Sequence, residues 1–193
     1  MARPREFDEA RAVEAAIRCF WARGYEATSV RDLALAMGIT GASLYNAFGD
    51  KRALFGLALD HYIKRGFCER SVRLEQQLPP REAIQTFFNE IIELSLSDPE
   101  HKGCFIVNAA LEVAPHDPEF KAVLATVQEG MEGFFLRCIS AGQAQGSINA
   151  LQPADDLARM CLAVLMGLRV LARSRPEREL LEGLVRPVFG LLK

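Results

Sequence analysis

No run of uncharged apolar residues in this chain approaches the ~20 that a membrane-spanning helix needs, so the sequence predicts no membrane partner. The start, Met1-Ala-Arg-Pro-Arg-Glu-Phe7, is charged and has no apolar stretch behind it, which argues against a secretory leader and for a cytoplasmic protein. A dominant charge is missing too. Net charge is −2; residues 1–52 hold eight Lys/Arg against seven Asp/Glu, and the remainder holds fifteen against eighteen. That excludes a generally basic nucleic-acid coat, so any such contact must come from a few placed cations. The five cysteines, Cys19, Cys68, Cys104, Cys138 and Cys161, never form a C-x-x-C pair. They read as reduced thiols acting mostly as small core hydrophobes. Histidine is scarce, with three in all. His101, Cys104 and His116 lack regular metal-ligand spacing and an evident fourth ligand, so no metal is expected. There is no G-x-S-x-G, P-loop or Rossmann glycine pattern, so neither an enzyme nor a cofactor is expected. Asp155-Asp156 reads as helix N-terminal charge, favourable to the dipole.

Strand-like alternation is absent as well, while turn signals recur at roughly a helix length; the fold class predicted is all-α. The first helix carries a stripe at Ala10, Val13, Ile17, Phe20 and Trp21, with Asp8 as N-cap and Gly24 as its end. Thr28 and Ser29 can cap a second short helix, with Leu33, Ala34 and Met37 inward. Gly38 turns the chain, and Thr40 caps a third helix with Leu44 and Phe48 inward. Two short helices around such a turn are how a protein pushes a helix end into the major groove of DNA. Asp50 caps a fourth helix predicted to run from Lys51 past Phe67 to about Leu74, long enough to belong to both parts of the molecule. The expected organisation is a helix-turn-helix DNA-binding domain at 1–49 and a helical ligand-binding and dimerisation domain at 50–193. Beyond Leu74, breaks at Pro79-Pro80, Asp98-Pro99, Pro115–Pro118 and Gly146–Pro153 separate helices predicted over 81–96, 101–114, 119–144 and 154–173. A last helix follows Pro176, with Pro187 inside it.

The stretch from Gly24 to Phe55, which contains Thr28-Ser-Val, Leu33-Ala34, Met37-Gly-Ile-Thr40, Ser43-Leu-Tyr45, Phe48-Gly49, Lys51 and Leu54-Phe55, resembles the N-terminal domain of TetR/AcrR-type transcriptional regulators. Gly103-Cys-Phe-Ile-Val-Asn-Ala-Ala-Leu-Glu112 resembles a segment of the ligand-binding part of some members. The resemblance implies a double-stranded DNA operator as partner. Gly41, Ala42 and Ser43 would lead the recognition helix, where small residues let the backbone approach the bases. The Ala42 methyl suits a thymine methyl, and Ser43 a base or phosphate. Thr40 offers a hydroxyl and an amide to phosphate. Tyr45 resembles the family's phosphate-binding tyrosine and Lys51 its backbone-clamping lysine. Asn46 sits within reach of base or backbone, and Thr28, Ser29 and Arg31 would grip the other phosphate strand. Arg3 and Arg5 are candidates for a flexible arm. Ala47 departs from the pattern, since a histidine or aromatic residue often precedes the phenylalanine, and one backbone contact is thereby in question.

Eight of the twelve phenylalanines lie at or beyond Phe67, which a helical core alone can explain. The resemblance implies a small-molecule effector cavity there, with Phe67, Phe87, Ile91, Cys104, Phe105, Asn108, Glu112, Met131, Phe134 and Met166 as candidate lining. Asn108 and Glu112, four apart, share a helix face. They either orient a ligand or bond each other and neighbouring backbone. Cys104 beside Lys102 is either a sensor thiol for electrophiles or a buried packing residue. The last two helices carry more apolar surface than a monomer needs to hide. Leu157, Val164, Gly167, Leu168 and Leu171 with Leu180, Leu184, Val188 and Leu191 are the candidate homodimer interface, a four-helix bundle about a two-fold axis. The expected function is a dimeric, ligand-released repressor on a palindromic operator. The alternative is a helical small-molecule-binding protein whose DNA reader is degenerate.

Overall fold

The computed structural model describes residues 7–193, and every regular element among them is helical. Arg3 and Arg5 lie outside the described residues. Helix α1 (Glu9–Arg23) starts where the Asp8 carboxylate accepts the Arg11 amide, and it stops at Gly24, whose φ of 86° disfavours any residue with a Cβ. Its buried face comprises Ala12, Val13, Ala15, Ala16, Ile17 and Phe20; Ala10, assigned to the stripe by spacing, is exposed. Helix α2 (Val30–Met37) opens on a capping box between Ser29 and Asp32 and closes on left-handed Gly38. Helix α3 (Gly41–Phe48) is capped by Thr40.

Helix α4 (Lys51–Ile63), capped by Asp50, passes into a π-helical turn, Lys64–Cys68, and then α5 (Glu69–Gln77). The rod expected from Lys51 to Leu74 is therefore present but carries a π-turn, a feature that often marks functional positions. Helices α6 (Pro80–Ser97), α7 (Phe105–Glu112), α8 (Pro118–Ala144), α9 (Ala154–Ser174) and α10 (Arg178–Leu191) complete the chain. The helix expected from His101 begins only at Phe105. Residues before it form a loop in which Asp98 accepts the amides of Glu100 and Lys102 and pairs with the Lys102 ammonium. Those bonds offer the backbone a local alternative to helix.

Helices α1 to α4 pack on one another at one end, and α6, α8, α9 and α10 form the bulk of the other. Phe55 of α4 joins the two. Its ring meets Phe20 of α1, Tyr25, Phe105 of α7 and Phe120 of α8 edge-on, with centroids 4.9 to 5.4 Å apart. A second aromatic cluster, Phe67, Phe87, Phe88, Phe134, Phe135 and Phe189, fills the larger part. No described helix is long and apolar enough to cross a membrane.

Candidate nucleic-acid interface and adjoining cavity

Helix α3 divides cleanly along its length. Leu44 and Phe48 point into the small core, whereas Ala42, Tyr45 and Asn46, spaced three and four apart, share an exposed face. Gly41 and Ser43 are partly exposed beside them. The Thr40 hydroxyl accepts the Ser43 amide at 3.1 Å and lies 2.9 Å from the Ser43 hydroxyl, so both side chains sit at the helix mouth. Ser29 and Arg31 are exposed at the start of α2; Arg31 has no partner among the described residues, while Ser29 is engaged with Asp32. The Lys51 ammonium lies 4.3 Å above the Tyr25 ring, a cation–π contact that holds it at the start of α4.

Thr28 must be corrected. It is fully buried and its hydroxyl donates to the Gly24 carbonyl, so it cannot reach a phosphate. Sequence spacing cannot separate Thr28 from Ser29, because either hydroxyl suits a cap; which one faces water is decided by how α1 lies across the loop.

Beside this unit lies a cavity of about 430 Å³. Of the ten residues predicted to line it, Phe67, Phe87, Ile91, Cys104, Met131 and Met166 do so. The other four do not. Phe105 packs against Phe55 and Tyr62 in the junction. Phe134 stands behind Phe67 and Phe87. Asn108 donates to the Lys102 carbonyl at 3.0 Å, tying down the preceding loop. The Glu112 carboxylate accepts the backbone amides of Tyr25 and Glu26 at 3.1 and 2.9 Å, across to the loop between α1 and α2. Of the two readings open for Asn108 and Glu112, the structure shows backbone bonding, without a bond between them. A Cβ at Gly24 would come within 2.6 Å of the Glu112 carboxylate, so the glycine also permits this close approach.

Sequence reasoning missed the wall contributed by α1: Glu14, Ile17, Arg18 and Trp21 all face the cavity, as do Tyr62 and Arg169. One signal was available. Arg169 is a lone cation within the apolar run Leu162–Leu171, and it is only 4% exposed. At the mouth Glu14 bonds His61 at 3.1 Å and pairs with Arg65. Cys104 is buried, and the Tyr62 hydroxyl sits 3.9 Å from its sulfur. Burial pushes the Tyr62 phenol up, so it stays protonated. Cys138 and Cys161 are core residues whose thiols burial raises to about 12, leaving them inert. Among the described residues no group of His, Cys, Asp or Glu is arranged to hold a metal.

A further tie joins the two parts. Arg52 of α4 forks onto Asp117 at 2.7 and 3.0 Å and reaches Glu119 at 2.6 Å. The guanidinium holds the Asp117 carboxyl down at about 2.

On α9 and α10, Val164, Leu171, Leu180 and Leu184 are partly exposed, and Gly167 and Leu191 are exposed, with Val170 adding apolar surface at 47%. Leu157, Leu168 and Val188 are different: at 3%, 0% and 2% exposure they belong to the protomer's own core, and this corrects their assignment to an interface. Helical spacing identifies an apolar stripe but not which half of it the neighbouring helices already cover.

Comparison with known proteins places two family models on the chain. "Bacterial regulatory proteins, tetR family" matches residues 12–58, and "Tetracyclin repressor-like, C-terminal domain" matches residues 80–186. The HTH-type transcriptional regulator YezE of Bacillus subtilis (strain 168) is 37% identical over 150 residues, 77% of each chain. The HTH-type transcriptional repressor ComR of Escherichia coli (strain K12) is 29% identical over 178 residues, 92% of this chain and 85% of that protein. Among solved structures, a cysteine mutant of the TetR family transcriptional regulator CifR complexed with 26-bp double-strand operator DNA superposes with a TM-score of 0.88. It is 33% identical and covers 100% of both chains.

Proposed function

The chain belongs to the TetR family of bacterial regulatory proteins, and from that premise we propose that it is a cytoplasmic, homodimeric transcriptional repressor released from a palindromic operator by a small-molecule or electrophilic effector. The observation that carries DNA binding is the split of α3, with its polar and small residues outward and Leu44 and Phe48 inward. Ala42, Ser43 and Asn46 face the bases, with Gly41 letting the backbone approach; Ser29, Arg31, Thr40, Tyr45 and Lys51 hold phosphates. One eight-residue recognition helix reads few base pairs. A second copy on the next major groove supplies the missing affinity and specificity. The exposed residues of α9 and α10, Val164, Gly167, Leu171, Leu180, Leu184 and Leu191, are where that copy docks.

Release follows from the cavity's construction. One wall is α1, part of the reader, and the other walls belong to the body. An effector that fits only when α1 and α4 are displaced relative to α7 and α9 must shift the population toward that arrangement, moving the recognition helices out of register. Cys104, on the lining, gives an electrophilic effector a thiol to meet.

Selection of random duplex DNA by the purified protein, followed by binding at two salt concentrations, tests this. The expected result is an enriched palindrome bound by two protomers. At about 1.5 kcal/mol for each contact to a phosphate, a Tyr45→Ala, Lys51→Ala double variant loses roughly a hundredfold in each half-site, on the order of ten-thousandfold for the operator bound by two protomers, while remaining folded. A folded protein that enriches no sequence would favour a helical ligand-binding protein with a degenerate reader.

A further inference from the structure

The inner wall of the cavity offers hydrogen-bond donors and a positive charge for which the described residues provide no matching anion. Arg169 is almost wholly buried, yet no carboxylate among the described residues pairs with it. Its guanidinium donates to the Ser95 hydroxyl and the Gly103 carbonyl, both neutral, and lies against Cys104 and Tyr62. A guanidinium has five N–H groups, and none of the groups it meets, Ser95, Gly103, Cys104 and Tyr62, supplies a carboxylate. Burying a cation without a counter-charge is unfavourable, which makes the site receptive to an anion. Two neighbours point the same way. The Tyr62 hydroxyl meets the Arg169 guanidinium and, as a donor, has only the weakly accepting Cys104 sulfur among the described side chains. The Trp21 indole N–H is buried with no acceptor among the described residues. Arg169, Tyr62 and Trp21 all line the cavity.

The nearby carboxylates are engaged elsewhere. Glu14, on the lining, is held at the mouth by Arg65 and His61. Asp98, in a smaller adjoining hollow that shares Trp21 and Arg169, holds Lys102 and two loop amides. Arg18 adds further positive charge to the lining, whereas Arg70 is paired with Glu90 at 2.9 Å. The remaining wall is hydrocarbon and ring: Ile17, Phe67, Phe87, Ile91, Met131 and Leu165.

We propose that this cavity binds an apolar carboxylic acid in its ionised form, its chain or ring among Phe67, Phe87 and Met131 and its carboxylate on Arg169 and Tyr62. A planar guanidinium matches a carboxylate with two parallel bonds, and a single deep cation compensates one charge, not the two of a phosphate monoester. The volume, about 430 Å³, accommodates such a molecule of modest size. Its regulatory meaning rests on the effector reading above. The carboxylate competes with the Gly103 carbonyl for Arg169 at the head of α7, and the tail of α7 carries Glu112 on the reader loop.

The test uses the full chain, whose sole tryptophan, Trp21, lines the cavity and reports occupancy by its fluorescence. 4-Phenylbutyrate and decanoate are titrated at pH 7 against 4-phenylbutyramide and decanamide. Each acid is expected to bind at least tenfold more tightly than its amide. Arg169→Met abolishes the preference and Arg169→Lys keeps part of it, with thermal melts verifying that both fold. If neither folds, the acid-to-amide ratio of the native chain still decides. Equal affinities, tighter amides, or no response to either acid at millimolar concentration overturns the proposal. Acids that bind without weakening the operator complex would refute the effector reading while leaving the carboxylate site intact.

Discussion

The reader and the body are held by different means. Each of the four helices from α1 to α4 begins with a side chain that accepts a backbone amide, from Asp8, Ser29, Thr40 and Asp50, and the first three end at glycines. In the body only α8, capped by Asp117, begins that way. Helices α6, α7, α9 and α10 start with no side-chain cap bond, two of them directly after proline at Pro79 and Pro153. They are held by what they pack against: α6 and α10 through the phenylalanine cluster, α7 through Phe55, and α9 along α8. In α2 and α3, of eight residues each, local bonds define the ends. Helix α7, equally short but uncapped, is held by its buried face, Phe105, Ile106, Val107 and Ala109. A reader that must present one helix end to DNA gains from ends defined within a few residues, whereas a body that must admit a ligand gains from walls that can move.

Phe55, where the two regions meet, gives the sharpest way to break the contrast. Phe55→Ala removes a ring shared by α1, α7 and α8 and is expected to cost about 3–5 kcal/mol in urea unfolding. A loss below about 1 kcal/mol would mean that the regions are held independently of it. Next comes the tie at Glu112. Glu112→Ala leaves two amides without their acceptor and is expected to cost about 1–3 kcal/mol. Hydrogen exchange at Tyr25 and Glu26 should accelerate while α8 stays protected; unchanged exchange there would remove Glu112 as a coupling element. Capping itself is tested by Ser29→Ala, expected to cost about 1 kcal/mol, an effect with no counterpart at the uncapped start of α9. The smallest effect concerns pH. Asp117 titrates lower folded than unfolded, so its contribution is complete above the ordinary aspartate range and fades as pH falls toward about 2. The difference in urea midpoint between the native chain and Asp117→Asn should be constant above about pH 5 and shrink below it. A difference that grows on acidification would show the pairing with Arg52 to be unimportant.

Much of this was legible in advance for one region and little for the other. Asp8, Gly24, Ser29, Gly38, Thr40 and Asp50 act on backbone groups within four residues, and the sequence displays such relationships directly. The helical identity of every body segment was equally readable from periodicity. What periodicity could not assign was the partner of each apolar or polar face. Leu157 and Leu168 were indistinguishable from Val164 and Leu171 until α8 was seen to cover one side of α9. Glu112 stayed open between a ligand contact and a backbone bond because its partners, Tyr25 and Glu26, lie more than eighty residues away.

The sequence by itself therefore determined an all-helical chain and a helix-turn-helix with its outward residues, because those rest on bonds and spacings a few residues long. The tertiary structure alone decided that α1 walls the cavity, that Thr28 is buried, that Glu112 ties body to reader and that Arg169 stands unpaired by any described carboxylate at depth. Each of those depends on which distant faces meet, and meeting is settled by the packing of all the helices at once.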